Sequence, residues 1–204
     1  MAFIDDLESL SSLVPKQQLQ NFLRNRFTVS RYNDLYDVFI RKSYDSSLFY
    51  DLFRDQAEDI YSYLYNYDSS PYTLQQWALY RAKLKDFKQA FIYIERAMSE
   101  KPTNFSMQNS RAVILFEANR SLNTALALKQ KKEAMDILSY CYNNDKRKIY
   151  HAQIFSEFAI NLYDEYSDRE YLEKAYMWIN EIIDNQELYS RKTRKIRDEL
   201  QRRI

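Results

Sequence analysis

The sequence predicts an all-α fold in which about eleven short helices stack one after another as a helical-repeat solenoid. The first observation is that the 204 residues include no Gly and only three Pro, although an average Gly usage of about 7% would give about fourteen. Apolar residues make up 46% of the chain and recur at the three- and four-residue spacing of amphipathic helices. Without Gly, phosphate-binding loops, nucleotide-binding turns and tight primed hairpins are all excluded.

The N-terminal quarter predicts four helices. Pro15 suits the first turn of the second helix, and the fourth helix begins after Ser46 or Ser47 and carries one apolar stripe as far as about Asn66. The first three predicted helices are Phe3–Leu10, Pro15–Arg26 and Tyr32–Arg41.

Seven further helices follow, and capping residues mark their starts. Ser70 is the expected N-cap of a helix that begins at Pro71 and ends near Leu84. Ser167 and Glu170 form a capping-box pair at a later start. The other predicted helices are Phe87–Ser99, Phe105–Asn119, Thr124–Tyr142, Arg147–Tyr166, the helix that Ser167 opens and that closes at Asn185, and Leu188–Ile204. Because Gly is absent, we expect Asn to supply the left-handed C-caps, at Asn66, Asn119, Asn143–Asn144 and Asn185.

Residues 71–102 contain a repeat unit in a frame of about 34 residues. Ala78 and Ala90 fall where two antiparallel helices must approach closely, Ala97 falls where the next repeat docks, and Pro102 ends the second helix. The large residues of the unit are Leu74, Trp77 and Ile94. With these residues the segment resembles the tetratricopeptide-repeat superfamily, which implies a right-handed solenoid. Arg81 departs from the pattern, which has Tyr at that place, and neighbouring Tyr80 is the candidate to supply the ring.

Three other segments keep the same spacing of small and apolar residues. They are Ala57, Tyr61 and Leu64; Ala134, Leu138 and Cys141; and Ala175, Ile179 and Ile182. The sequence therefore predicts an N-terminal helical segment at 1–44, TPR-like helix pairs at 45–186, and a basic capping helix at 187–204.

A second resemblance covers more of the chain. Residues 22–45, which begin FLRNRF, the repeat unit, and residues 131–185, which begin KKEAMD, together look like the C-terminal helical arrays of bacterial signal-transduction ATPases and sirtuin-domain antiphage proteins. This resemblance implies that the array senses a protein trigger or drives assembly in antiphage defence, while a separate effector does the chemistry. A regulatory fragment of a larger enzyme is therefore one alternative.

Few residues point to catalysis or metal binding. His151 is the only histidine and has no zinc partner at helical spacing, so we place it on a helix face. Cys141 is the only cysteine, which fits a reducing compartment, and its position in the repeat favours a packing role over a reactive thiol. Acidic pairs beside Lys and Arg are typical of solvated helix faces. We therefore expect a non-enzymatic protein without a cofactor or metal.

The first helix of each pair is the predicted binding surface for a protein or peptide partner. Tyrosine is abundant, with 19 residues, and is enriched at protein interfaces. Self-association into a homo-oligomer is therefore a second expected mode of interaction. The residues predicted to face the partner are Tyr72, Gln75, Leu79, Lys83, Asn109, Val113 and Glu117.

The basic C-terminal helix supports two interpretations. It can cap the solenoid with a polar face, or it can contact an acidic partner or a nucleic acid backbone through Lys192, Arg194, Lys195 and Arg197. A net charge of +1 does not favour nucleic acid. The charged fraction of 29% argues against a membrane protein, and the acidic start, MAFIDDLE, lacks a basic signal-peptide region. A cytoplasmic location is expected.

Overall fold

Eight α-helices make up the part of the chain that the computed structural model describes, which is Ile40, residues 57–185 and residues 191–204. This part contains no strand, so the all-α class is confirmed. Residues 1–39, 41–56 and 186–190 lie outside the described residues. The first three predicted helices, apart from Ile40, and the predicted start of the fourth therefore lie outside them as well. The helices are α1 (Ala57–Asp68), α2 (Pro71–Lys83), α3 (Phe87–Glu100), α4 (Phe105–Asn119), α5 (Ala125–Asn144), α6 (Lys148–Tyr166), α7 (Arg169–Asn185) and α8 (Arg191–Gln201).

Side-chain caps fix the starts of four helices. The Ser70 hydroxyl accepts a hydrogen bond from the Tyr72 amide at 3.2 Å, and Pro71 is the first residue of α2, as predicted. Each such cap satisfies a backbone N–H that the first helical turn would otherwise leave without a partner. The caps of the next three helices are Asp86, Asn104 and Thr124.

The helix ends correct two expectations. Asn119, Asn144 and Asn185 do not adopt left-handed backbone; each side-chain amide instead donates to the carbonyl four residues earlier, at 2.8 Å. That bond satisfies a last-turn carbonyl from the side chain. Positive φ occurs at Ser69, Lys85 and Ser167. Because Ser167 closes α6 with φ 57°, the capping box predicted there is wrong, and α7 begins at Arg169.

Each helix packs against the next in the chain, and alternate helices also meet: α2 contacts α4, α4 contacts α6, and α6 contacts α8. We call α2, α4, α6 and α8 the first helices and α3, α5 and α7 the second helices. One apolar cluster is centred on α1–α3 and a second on α4–α8. None of the described helices is both long enough and apolar enough to cross a membrane.

The small residues of the repeat are buried, as expected. Ala78, Ala90 and Ala97 have no exposed surface, and their short side chains let α2 and α3 pack closely. The same register is buried in α1 at Ala57, Tyr61 and Leu64, in α5 at Ala134, Leu138 and Cys141, and in α7 at Ala175, Ile179 and Ile182. The described part of the chain is therefore a helical repeat-like array.

Arg81, which departs from the repeat pattern, has a structural role. Its guanidinium pairs with Glu58 of α1 and, at 3.0 Å, with Asp86 in the turn before α3. Glu58 also accepts a hydrogen bond from the Trp77 indole at 3.0 Å. Tyr80 is buried with its ring centroid 5.5 Å from that of Tyr61. Arg81 thus joins α1 to the start of α3, while Tyr80 supplies the ring.

Candidate functional site

Two of the seven residues predicted to face a partner are buried between helices. Gln75 is 2% exposed, and its amide donates to the Ser106 carbonyl at 3.0 Å and to the Ser110 hydroxyl at 2.8 Å. Asn109 has no exposed surface, and its Oδ1 lies 2.9 Å from Nδ1 of His151. The expectation that these two side chains open onto a groove is corrected, because each joins one first helix to the next.

The other five predicted residues remain accessible to different degrees. Tyr72 and Lys83 are exposed, and the Lys101 ammonium lies 4.8 Å from the Tyr72 ring centroid. Leu79 and Val113 are half-buried against the two apolar clusters. Glu117 accepts hydrogen bonds from Arg120 and lies 4.0 Å from Lys85. Contact of these residues with a partner stays a prediction.

A polar seam runs along the first helices. We define it by three contacts: Gln75 with Ser106 and Ser110, Asn109 with His151, and Gln153 with Thr193 at 2.9 Å. These contacts link α2 to α4, α4 to α6, and α6 to α8. Gln75 and Asn109 stand one repeat length apart, so the same frame position has the same bridging role twice. That recurrence is the signal in the sequence that could have separated seam residues from partner-facing ones.

His151 is one of the fully buried groups of the seam. It has no exposed surface, and its Nε2 lies 2.9 Å from the Asp145 carboxylate. Burial lowers the pKa of His151 below its ordinary value, although the Asp145 carboxylate opposes that shift. Burial alone would raise the pKa of Asp145, but hydrogen bonds from Arg147 and His151 outweigh burial and lower it to about 2. The lowered pKa favours a neutral imidazole near neutral pH, with Nε2–H donating to the ionised Asp145 carboxylate.

The neutral imidazole fixes the role of Asn109. Since Nε2–H donates to Asp145, Nδ1 carries a lone pair and needs a donor. Nδ2 of Asn109 is buried without a hydrogen-bond partner among the described residues. A 180° turn of the Asn109 amide brings Nδ2 to Nδ1 of His151, where the amide can donate to the lone pair. His151 is thus enclosed by structural partners and has no surface open to a substrate.

Cys141 and the acidic residues also lack the features of a reactive or metal site. The Cys141 thiol is buried 3.7 Å from the Phe105 carbonyl and 3.8 Å from the Gln108 side-chain oxygen. Burial raises its pKa to about 11, so it stays protonated near neutral pH. Within residues 57–185 and 191–204, no group of three His, Cys, Asp or Glu side chains is arranged to hold a metal ion.

One buried charge was not predicted from the sequence. The Lys131 side chain is fully buried on α5, where its ammonium donates to the Arg120 carbonyl at 3.0 Å and pairs with Glu165 of α6. The ammonium also lies 5.3 Å from the Tyr166 ring centroid. Because hydrogen bonds and an ion pair satisfy the ammonium, it fastens α5 to α6.

An open groove lies between the second helices α3 and α5. Its volume is about 320 Å³, and α4 forms its floor. The lining residues are Met98 on α3, Gln108 and Arg111 on α4, and Asp136, Ile137 and Tyr140 on α5. Tyr140 is 54% exposed, and its ring centroid lies 6.0 Å from that of Phe105. An exposed aromatic beside half-buried apolar side chains is typical of a protein-binding surface.

Arg111 lies at the floor of the groove and joins its two walls. Its guanidinium donates to Glu95 of α3 at 2.8 Å and to Glu133 of α5 at 3.2 Å. The two carboxylates are about half exposed, at 55% and 49%, so they form the rim. This bridge links α3 to α5 and leaves the apolar side chains between them uncovered.

The basic residues of α8 are partly engaged within the protein. Lys192 pairs with Glu157 of α6 at 2.8 Å, and Arg197 pairs with neighbouring Asp198 at 3.0 Å. Arg194 and Lys195 are exposed. The opposite face of α8 buries Thr193, Ile196 and Leu200, which agrees with the expected separation of basic and apolar faces.

No protein-family model, no curated protein and no solved structure matches the chain.

Proposed function

We propose that this chain is a non-enzymatic protein-interaction module, a scaffold or sensor built as a right-handed TPR-like solenoid and working in the cytoplasm. The groove between α3 and α5 is the observation that carries the proposal. The same spacing of buried small and apolar residues recurs in α1, α3, α5 and α7. This recurrence supports the repeat architecture, since in a solenoid each helix pair buries the apolar face of the next pair. The resemblance to antiphage helical arrays suggests a protein trigger or an assembly partner in that setting.

The groove has the composition of a docking surface. Apolar side chains from α3 and α5 lie at its centre, and carboxylates lie at its rim. Protein interfaces combine these parts, with tyrosine and arginine enriched at the centre. Because the polar seam already uses Gln75 and Asn109, we propose the second helices as the main partner contact, while contact of the other five first-helix residues stays a prediction.

Photo-crosslinking in the native host tests this proposal. A photoreactive phenylalanine analogue placed at position 140 should give one discrete adduct with a partner protein, because that side chain is exposed at the groove. The same analogue at position 67 is the matched control, since Tyr67 is also a solvent-exposed tyrosine, at 67%, but lies on α1 away from the groove.

Two outcomes of the crosslinking contradict the proposal. One is that position 140 gives no discrete adduct, and the other is that positions 140 and 67 give the same adducts. Light scattering of the purified chain shows in addition whether an adduct of twice the chain mass reflects self-association.

The nucleic-acid alternative depends on α8. If it is correct, RNA or DNA co-purifies with the chain, affinity falls steeply with salt, and Arg194→Glu with Lys195→Glu abolishes the association. These two exposed residues are better test positions than a truncation, because deleting α8 would expose the apolar surface under Ile196 and Leu200. Unchanged nucleic-acid recovery in the double variant removes this alternative.

A further inference from the structure

The charges around the groove are unbalanced. Asp136 and Arg111 line it, and the two carboxylates that pair with Arg111, Glu95 and Glu133, stand at its rim. Three negative charges and one positive charge leave an excess of two negative charges. Lys129 stands one helical turn before Glu133 on α5, so the negative excess is concentrated at Asp136, in the half of the groove that contains Tyr140.

The apolar part of the groove lies in this acidic half. Asp136 and Tyr140 are four residues apart on α5, so they occupy neighbouring positions on one helix face, with Ile137 beside them. Met98 contributes from the opposite wall on α3. A volume of about 320 Å³ has room for a large side chain. A ligand that fills this space brings its flanking groups within reach of the carboxylates.

The open shape of the groove favours a chain segment over a small molecule. Small-molecule sites bury most of the ligand surface, whereas this groove is open to solvent. The floor amide of Gln108 is already engaged, since its Nε2 donates to the Pro102 carbonyl at 2.9 Å. Recognition therefore depends on the apolar contact and on the rim charges rather than on a closed set of hydrogen bonds.

We propose that the groove between α3 and α5 binds a protein segment in which a large apolar side chain stands next to lysine or arginine. The apolar side chain packs against Met98, Ile137 and Tyr140, and the cation faces Glu133 and Asp136. This inference rests on the proposed interaction function and adds the chemistry of the partner. Charge complementarity of this kind sets partner choice and association rate more than it sets affinity.

A display library of short random linear peptides, selected against the purified full chain, tests the inference. We expect the enriched peptides to place Lys or Arg beside Trp, Phe, Leu or Met. Binding of a synthetic enriched peptide, followed by fluorescence anisotropy, should weaken as salt rises. Replacing its basic residues with Glu should raise the dissociation constant by about tenfold or more.

Matched variants separate the groove from the rest of the surface. Glu133→Gln combined with Asp136→Asn should raise the dissociation constant about tenfold and reduce the salt dependence, and Tyr140→Ala should raise it by a similar factor. The control is Glu173→Gln with Asp184→Asn, which removes two exposed carboxylates from α7 and should leave binding unchanged. Circular dichroism confirms that each variant remains helical.

The inference is overturned if the selection enriches acidic peptides, if it enriches none, or if the groove variants and the α7 control bind alike. Its failure can be told apart from failure of the proposed function. Position 140 could crosslink to a discrete partner whose binding does not depend on Glu133 and Asp136. That result would reject the basic partner segment and retain the proposed interaction function. Absence of both the adduct and the enriched peptides removes both.

Discussion

The polar seam and the α3–α5 groove lie in the same repeat-like array but differ in how completely their side chains are buried. In the seam, Gln75 and Asn109 are buried and bridge successive first helices. In the groove, Arg111 holds two second helices in place, while Tyr140 remains 54% exposed. The comparison teaches that polar side chains on the first helices can be buried and join one helix to the next. The accessible apolar surface can then lie on the second helices.

The largest expected effect comes from breaking the seam at His151. His151→Ala removes the hydrogen bond to Asp145 and the contact with Asn109 and leaves a cavity beside α4. We expect the free energy of unfolding to fall by about 3 kcal/mol, measured by urea denaturation. A loss below about 0.5 kcal/mol, as for ordinary surface positions, would mean that the seam does not hold the first helices together.

The pH dependence of the free energy of unfolding tests the same contact between His151 and Asp145. Because the folded-state pKa of His151 is lowered, the unfolded chain takes up a proton first as the pH falls through about 6.5, and stability declines. Asp145, with a folded-state pKa of about 2, adds a second decline between about pH 4 and pH 2. His151→Gln should remove the first decline and keep most of the second.

Nuclear magnetic resonance can follow His151 directly, since it is the only histidine. Its imidazole should titrate below the ordinary value in the folded protein, and Asn109→Asp should raise its pKa by placing a carboxylate at Nδ1. An imidazole that titrates at the ordinary value in the folded chain would contradict its enclosure in the seam.

A smaller effect is expected at the other end of the seam. Gln75→Ala should lower the free energy of unfolding by about 1 kcal/mol, because the Ser110 hydroxyl keeps its bond to the Ser106 carbonyl after the amide is lost. Thermal denaturation measures this change. A cost as large as that of His151→Ala would show that the amide is needed for more than its own hydrogen bonds.

The smallest effect on stability is expected in the groove. Tyr140→Ala should change the free energy of unfolding by no more than about 0.5 kcal/mol, since an exposed ring contributes little packing. The same urea titration compares it with His151→Ala. A loss of several kcal/mol would make Tyr140 a core residue and remove the main reason to regard the groove as a binding surface.

Much of the fold could be predicted from the sequence, because helix periodicity and N-capping are local. The bounds of α4 agree with the prediction at both ends, and the alanines of the repeat are buried. The left-handed caps could not be predicted, because Ser69, Lys85 and Ser167 adopt them under packing constraints that residue preference does not encode.

The site was harder to predict than the fold. Periodicity places Gln75 and Asn109 on the first helices, but it does not tell whether a face meets solvent or the next helix. The groove depends on how far apart α3 and α5 stand where each packs against α4, and Arg111 with its two carboxylates bridges that gap. In the sequence those three residues look like ordinary surface charges.

The most direct test of the account compares Tyr140→Ala with Gln75→Ala in the same peptide-binding assay, at a temperature where both variants are fully folded. If the groove binds the partner and the seam only joins helices, Tyr140→Ala weakens binding about tenfold, whereas Gln75→Ala leaves the dissociation constant unchanged. The opposite result, with binding lost in Gln75→Ala and kept in Tyr140→Ala, would return the binding surface to the first helices and contradict the account.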